Sequence, residues 1–129
     1  MRRTHAVPIA LASALCFAAP AVEAQEAGAD EGALRYRQKL MSAVGADMGA
    51  IGDILKYGLP LTSHVPAHAL SIARHAELVA AAFEPRVVEG PTDALPAIWE
   101  EPDRFREKTQ EMKAQAEKLA EIAGASTST

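Results

Sequence analysis

A few residues in this chain have chemistry to offer, and their spacing decides what that chemistry can be. Arg37 stands in an apolar row. Leu34, Arg37, Met41, Val44, Met48, Ile51 and Leu55 follow one another at steps of three and four, which puts one residue per turn on a single helix face and suits a bundle seam. The arginine is the one polar member. A buried guanidinium needs a compensating anion; the commoner outcome is that such an arginine snorkels to water near the open end of a bundle. Met41, Met48 and Met112 all lie on apolar rows, where methionine usually serves as core filler. His64, His68 and His75 sit at offsets of 4 and 11, within about 40° on one helix face, and a histidine pair spaced i, i+4 can bind zinc or copper. The sequence fixes no further ligand beside them, so they read as solvent-exposed histidines flanking a seam. No paired carboxylates, nucleophile with its base, or glycine-rich phosphate loop can be assembled. That argues against an enzyme.

The elements that must position these residues are helices. The first is expected over about 33–57, with Asp30 or Glu31 near its positive end. Gly58 suits the left-handed residue after its end, and Pro60 blocks continuation. Gly45, Gly49 and Gly52 form a strip beside its seam. That strip fits either close approach of a backbone or flat ligand, or simple tolerance within a strongly patterned helix. A second helix is expected over about 64–83, with Ala69, Ile72, Ala76, Val79 and Phe83 as a small-residued seam. Pro85, Gly90 and Pro91 make the next stretch a loop, and Pro96 opens a short turn through Trp99. The third long helix is expected over about 103–123, with Ile98, Pro102, Phe105, Thr109, Met112, Ala116, Leu119 and Ala123 on its seam. Arg104, Lys108, Glu111 and Lys118 form an ordinary solvated face opposite. No strand pattern and no internal repeat is visible, so the fold class is all-α.

Of the 129 residues, the first 24 have the layout of a secretory signal peptide: a basic start, a short apolar run and small residues before a cut after Ala24. The run is too short for a membrane span. Residues 25–32 read as a flexible leader, 33–123 as the one folded domain, and 124–129 as a polar tail. The only cysteine, Cys16, lies in the apolar run and would leave with it. The remainder then has no disulfide, thiolate metal site or cysteine nucleophile. Acidic residues outnumber basic ones by 17 to 13, a net charge of −4, which argues against a nucleic-acid partner. The expected location is a bacterial periplasm.

Four quoted stretches carry a resemblance. Tyr36-Arg37-Gln38-x-x-Met41, Met48-Gly49-Ala50-Ile51, His68-Ala69-x-x-Ile72-Ala73 and Ala97-Ile98-Trp99-x-x-Pro102-x-x-Phe105, in this order and spacing, resemble the first three helices of the cytochrome c prime family and its low-spin relatives. The resemblance covers about 33–123. It implies an antiparallel helical bundle of the four-helix type, with only three long helices present, and a haem inside it. Arg37 would contact a haem propionate. Met41 would lie over the distal face, where low-spin members use a methionine as an axial ligand to the iron. Met48 would wall the pocket and Trp99 would pack near the haem edge.

The family's fourth helix carries Cys-x-x-Cys-His, which attaches the haem and supplies the iron's histidine. This chain has no such sequence, and it is expected to be truncated before that helix. The implied role is haem-based electron transfer or small-gas binding with a redox protein as partner, by a chain that lacks covalent attachment and is open to being haem-free. The alternative is a haem-free helical interaction module that closes an apolar groove as a homodimer or on another helical partner.

Overall fold

The computed structural model describes residues 19–126. Most of the stretch read as a signal peptide, Cys16 included, lies outside them, as do the last three residues of the tail. Three long helices and one short one make up the described fold, with no strand among the described residues: α1 (Ala19–Lys56), α2 (Val65–Ala82), the four-residue α3 (Ala97–Glu100) and α4 (Pro102–Ser126). A 3₁₀ turn, Thr62–His64, leads into α2.

Two boundaries differ from expectation. α1 begins at Ala19, so residues 25–32 are helix rather than a leader. Their side chains from 26 to 32 are exposed. Extending a helix that already has a nucleus adds one hydrogen bond per residue fixed, and an Ala/Glu-rich stretch does so readily without a partner. For the same reason α4 runs past residue 123 to Ser126. At the other end of α1 the expectation holds. Gly58 has φ 60, and the Leu59 N–H donates to the Ile54 carbonyl across 3.0 Å, the six-to-one bond of a Schellman ending.

α2 lies in the middle. It packs against both α1 and α4, whereas α1 and α4 do not pack along each other among the described residues. Both contacts are antiparallel. The start of α2 meets the end of α4, where Val65 and Ala69 share a core with Ala116 and Ala120. The end of α2 meets the start of α4, where the Phe83 and Phe105 rings stand edge to face at 5.4 Å. The same end of α2 meets the first half of α1 through Arg37. Serving two neighbours widens the buried stripe of α2. Val65, Ala69, Ile72, Ala73, Ala76 and Val79 are all buried, and the alanines let both partners come close.

Serving only one neighbour narrows and rotates the buried stripe of α1. Leu34, Arg37, Leu40, Val44, Ile51 and Ile54 are buried, while Met41, Met48 and Leu55 are 42%, 59% and 64% exposed. The expected seam therefore splits. Its shared positions face α2, and its 41-48-55 column turns toward the open side between α1 and α4. α4 shows the same slip of one residue: Thr109, Ala116 and Ala120 are buried, and Leu119 is 37% exposed.

Candidate functional site

The site begins with Arg37. Its side chain is 3% exposed, so it does not snorkel. Nor does it meet an anion. Its Nε donates to the Ala82 carbonyl across 2.9 Å, one Nη to the Val87 carbonyl across 3.1 Å, and the other Nη to the Pro85 carbonyl. Ala82 is the last residue of α2, where free carbonyls give the helix its negative end. A planar, forked guanidinium can reach three carbonyls that a lysine could not. Phe83 and Trp99 stack on the cation, with ring centroids 4.9 and 5.4 Å from its Cζ. Burial pulls the Arg37 pKa down, and the charge of Asp30 pushes it back up. The group stays protonated.

This one residue closes the long loop onto α1. Gln38, its neighbour, donates to the Pro91 carbonyl across 2.6 Å. Gly90 takes φ 95, a left-handed conformation that favours glycine, and a Cβ there would stand 3.0 Å from Leu34 Cδ1, so the leucine would have to give by a few tenths of an ångström. Three consecutive contact points on little more than one turn of α1 thus hold residues 85–91.

Between this loop, the first half of α1 and the first half of α4 lies a cavity of about 690 Å³, a size ordinary for small-molecule sites. Leu34, Met41, Val79, Phe83, Ile98 and Phe105 give it apolar walls, and Arg37, Gln38, Arg104 and Lys108 border it. Of the four residues singled out by resemblance, Arg37 and Met41 reach the cavity. Trp99 lies one layer behind. It donates its indole N–H to the Phe83 carbonyl across 2.7 Å and packs on Arg37. Met48 lines no part of the cavity; it sits seven residues on, about 10 Å along the helix, on the open flank. Arg104 and Lys108, read from the sequence as part of a solvated face, are exposed and also border the cavity. Their i, i+4 spacing was visible; that α1 would stand across from them was not.

The histidines do something the sequence did not reveal. Asp47, with its side chain 17% exposed, sits on α1 facing α2. Its Oδ1 is 2.8 Å from His68 Nδ1 and its Oδ2 is 3.7 Å from His75 Nδ1. Burial raises the Asp47 pKa, but hydrogen bonds from His68 and Ser71 and the charges of His68 and His75 outweigh it and hold the carboxyl below its ordinary value. His68 and His75 are thus half-buried members of a polar link between α1 and α2, not solvent-exposed histidines. His64 stays exposed in the 3₁₀ turn. No group of three histidine, cysteine or acidic residues among the described ones can hold a metal ion.

Comparison with known proteins adds two kinds of finding. The chain is 32% identical over 120 residues to a cytochrome c-554 of Cereibacter sphaeroides, covering 89% of this chain and 78% of that one. It is 33% identical over 89 residues to a cytochrome c-556 of Agrobacterium tumefaciens, covering 68% of this chain and 72% of that one. No solved structure matches significantly. A sequence model of the family described as Cytochrome C' matches residues 32–129, from the packed part of α1 onward, and on that match the chain belongs to the cytochrome c prime family.

Proposed function

We propose that this protein has the haem-based electron-transfer or gas-binding role of its family, exercised in a periplasm, with the cavity between α1 and α4 as the haem site. The observation that carries this reading is the Met41 thioether on the wall of an apolar cavity of about 690 Å³. A thioether is a soft donor suited to haem iron. The aromatic and aliphatic walls suit a flat macrocycle and keep water from its face. When bound, the haem supplies a one-electron couple or a coordination position for a gas.

The residues present fit one face and one edge of a haem. No histidine and no cysteine lines the cavity, and the nearest imidazoles in sequence, His68 and His75, are engaged by Asp47 on another face. The described residues would therefore offer the Met41 thioether as a donor to the iron and no cysteine for attachment, and any haem they held by themselves would be held without a covalent bond. Met41 would take the iron side, and Leu34, Val79, Phe83 and Phe105 would enclose the ring.

The test is an absorption spectrum of the protein purified from a periplasm with working haem-attachment machinery. A Soret band that shifts in the Met41→Ala variant supports the reading. A helical protein with no absorption near 400 nm sinks it.

A second reading has its own observation. Met48, Leu55, Tyr57 and Ile122 are more than half exposed, away from the cavity, so the open flank beyond it suits a further helix from a second copy or from another protein. Light scattering that finds only monomer at micromolar concentration counts against that reading.

A further inference from the structure

Asp47 faces two imidazoles on α2, and only one of them reaches it. His68 Nδ1 lies 2.8 Å from Oδ1. His75 Nδ1 lies 3.7 Å from Oδ2, beyond hydrogen-bond range. That nitrogen is closed off from solvent and has no hydrogen-bond partner. An enclosed polar atom without a partner is costly and calls for a reason. With no hydrogen on Nδ1, the ring turns a lone pair toward a carboxylate oxygen, and the two repel. An imidazolium carries hydrogens on both nitrogens, so Nδ1 then has an N–H to give and a charge opposite to that of Oδ2. A shift of about 1 Å brings the pair to bonding distance.

The other groups around this contact leave that nitrogen to Asp47. On α1 the residues one turn before and after Asp47, Ala43 and Ala50, are uncharged, as are Ser71 and Leu78 on either side of His75. The charges that act on the Asp47 carboxyl are those of His68 and His75. From α4, Lys113 reaches α2 at Glu77, 2.7 Å away, and Glu77 sits about 200° round the helix from His75. Arg74 acts on Glu77, and His64 is exposed in the 3₁₀ turn. His68 can bond Asp47 as a neutral ring through Nδ1–H, so one proton on His75 leaves the three groups neutral together.

We propose that His75 is a proton-operated latch between α1 and α2. At mildly alkaline pH the carboxylate is held by His68 alone. At mildly acidic pH the His75 ring takes a proton at Nδ1 and closes on Oδ2, so that both oxygens of Asp47 are held. α1 packs on α2 and not along α4 among the described residues, so the latch acts directly on the packing of α1. It does so whatever the cavity binds. A contact that only the protonated ring makes adds stability below the ordinary histidine value of about 6.5, and that stability is lost as pH rises above it.

Urea unfolding of the full-length chain at about pH 8 and about pH 5.5 tests the latch, beside nitrogen-15 NMR of the histidine rings. The wild-type unfolding constant is expected to fall by about fivefold more between the two pH values than that of His75→Gln, the size of one partly exposed ion pair. His68→Gln is expected to keep the wild-type response. In the wild type, His75 Nδ1 is expected without a hydrogen at the higher pH and with one at the lower. His75→Gln tracking the wild type overturns the proposal, and so does a response lost in His68→Gln instead. If His75→Gln does not fold, the NMR decides: a His75 ring that already carries its hydrogen on Nδ1 at about pH 8 overturns the latch, because the contact then needs no proton.

Discussion

The ring of Trp99 lies 5.4 Å from the Arg37 guanidinium, which ties the turn before α4 to the first half of α1. The indole N–H completes the tie by donating to the Phe83 carbonyl. Trp99, Arg37, Phe83 and Phe105 therefore form one continuous stack at the closed end of the bundle. Every element the stack touches is also an element of the cavity wall.

The stack makes Arg37→Lys an informative change. It keeps the charge and loses the fork, so at least two of the three carbonyls lose their donor. A buried acceptor left unpaired costs about 1–3 kcal/mol. Arg37→Lys is expected to lower stability in urea by about 2 kcal/mol, and Arg37→Ala by more. A lysine variant as stable as the wild type would show that charge alone suffices.

The Asp47 link gives stability a pH dependence with a definite sign. The folded carboxyl lies below its ordinary value of 3.8. Its contribution is therefore present above the unfolded pKa and is lost as pH falls through the folded one. Thermal melts of the wild type should begin to fall below about pH 4. Asp47→Asn should be less stable than the wild type at pH 7, and the gap should narrow as pH falls below about 4. Parallel melting curves for the two proteins across that range would rule the link out as the cause.

Met41 and Met48 are separated by their place relative to the cavity rather than by burial. Both are exposed, so Met41→Ala and Met48→Ala should each change stability by less than about 0.5 kcal/mol. Only Met41 borders the cavity. Added iron protoporphyrin should give different Soret maxima in Met41→Ala and the wild type, and the same maximum in Met48→Ala. A spectral change in both would move the site down the helix.

A Cβ on Gly49 would meet nothing within 4 Å. Replacing it with alanine in a helix interior should raise stability by up to about 1 kcal/mol, measured by thermal melting. If Gly49→Ala instead lowers stability or changes the oligomeric state, a partner helix passes there in solution.

Much of this architecture was legible in the sequence. The seam of α2 from Ala69 to Val79, the left-handed Gly58 and the turn through Trp99 all follow from local rules of spacing and backbone chemistry. The resemblance carried by Tyr36-Arg37-Gln38 and Ala97-Ile98-Trp99 agrees with the family match. What local rules cannot say is how many neighbours a helix has. Leu40 and Met41 are adjacent, and either column continues the row from Val44. Only the position of α2 decides that Leu40 is buried at 6% and Met41 is not. Arg37 was legible as anomalous and illegible in its answer, because its acceptors lie 45 to 50 residues away, at the end of α2 and in the patternless loop after it. The pairing of Asp47 with two histidines was hidden for the same reason: helix faces can be read along one helix, but not between two.

The central place of α2 has a mechanical consequence. α1 and α4 are like the covers of a book bound on α2 as its spine, and the loop clasped by Arg37 fastens one corner. The distance between the covers is then set by a hinge angle rather than by direct contact. At the clasped corner that angle is fixed, and there the pocket has a definite shape. At the opposite corner Val44, Ile51 and Ile54 share one core with Ala116 and Ala120 across the spine, so the covers are fastened there too, while Met48, Leu55 and Ile122 look outward. A single fold in this way keeps a pocket of definite shape at one corner and shows an apolar flank along its outer side.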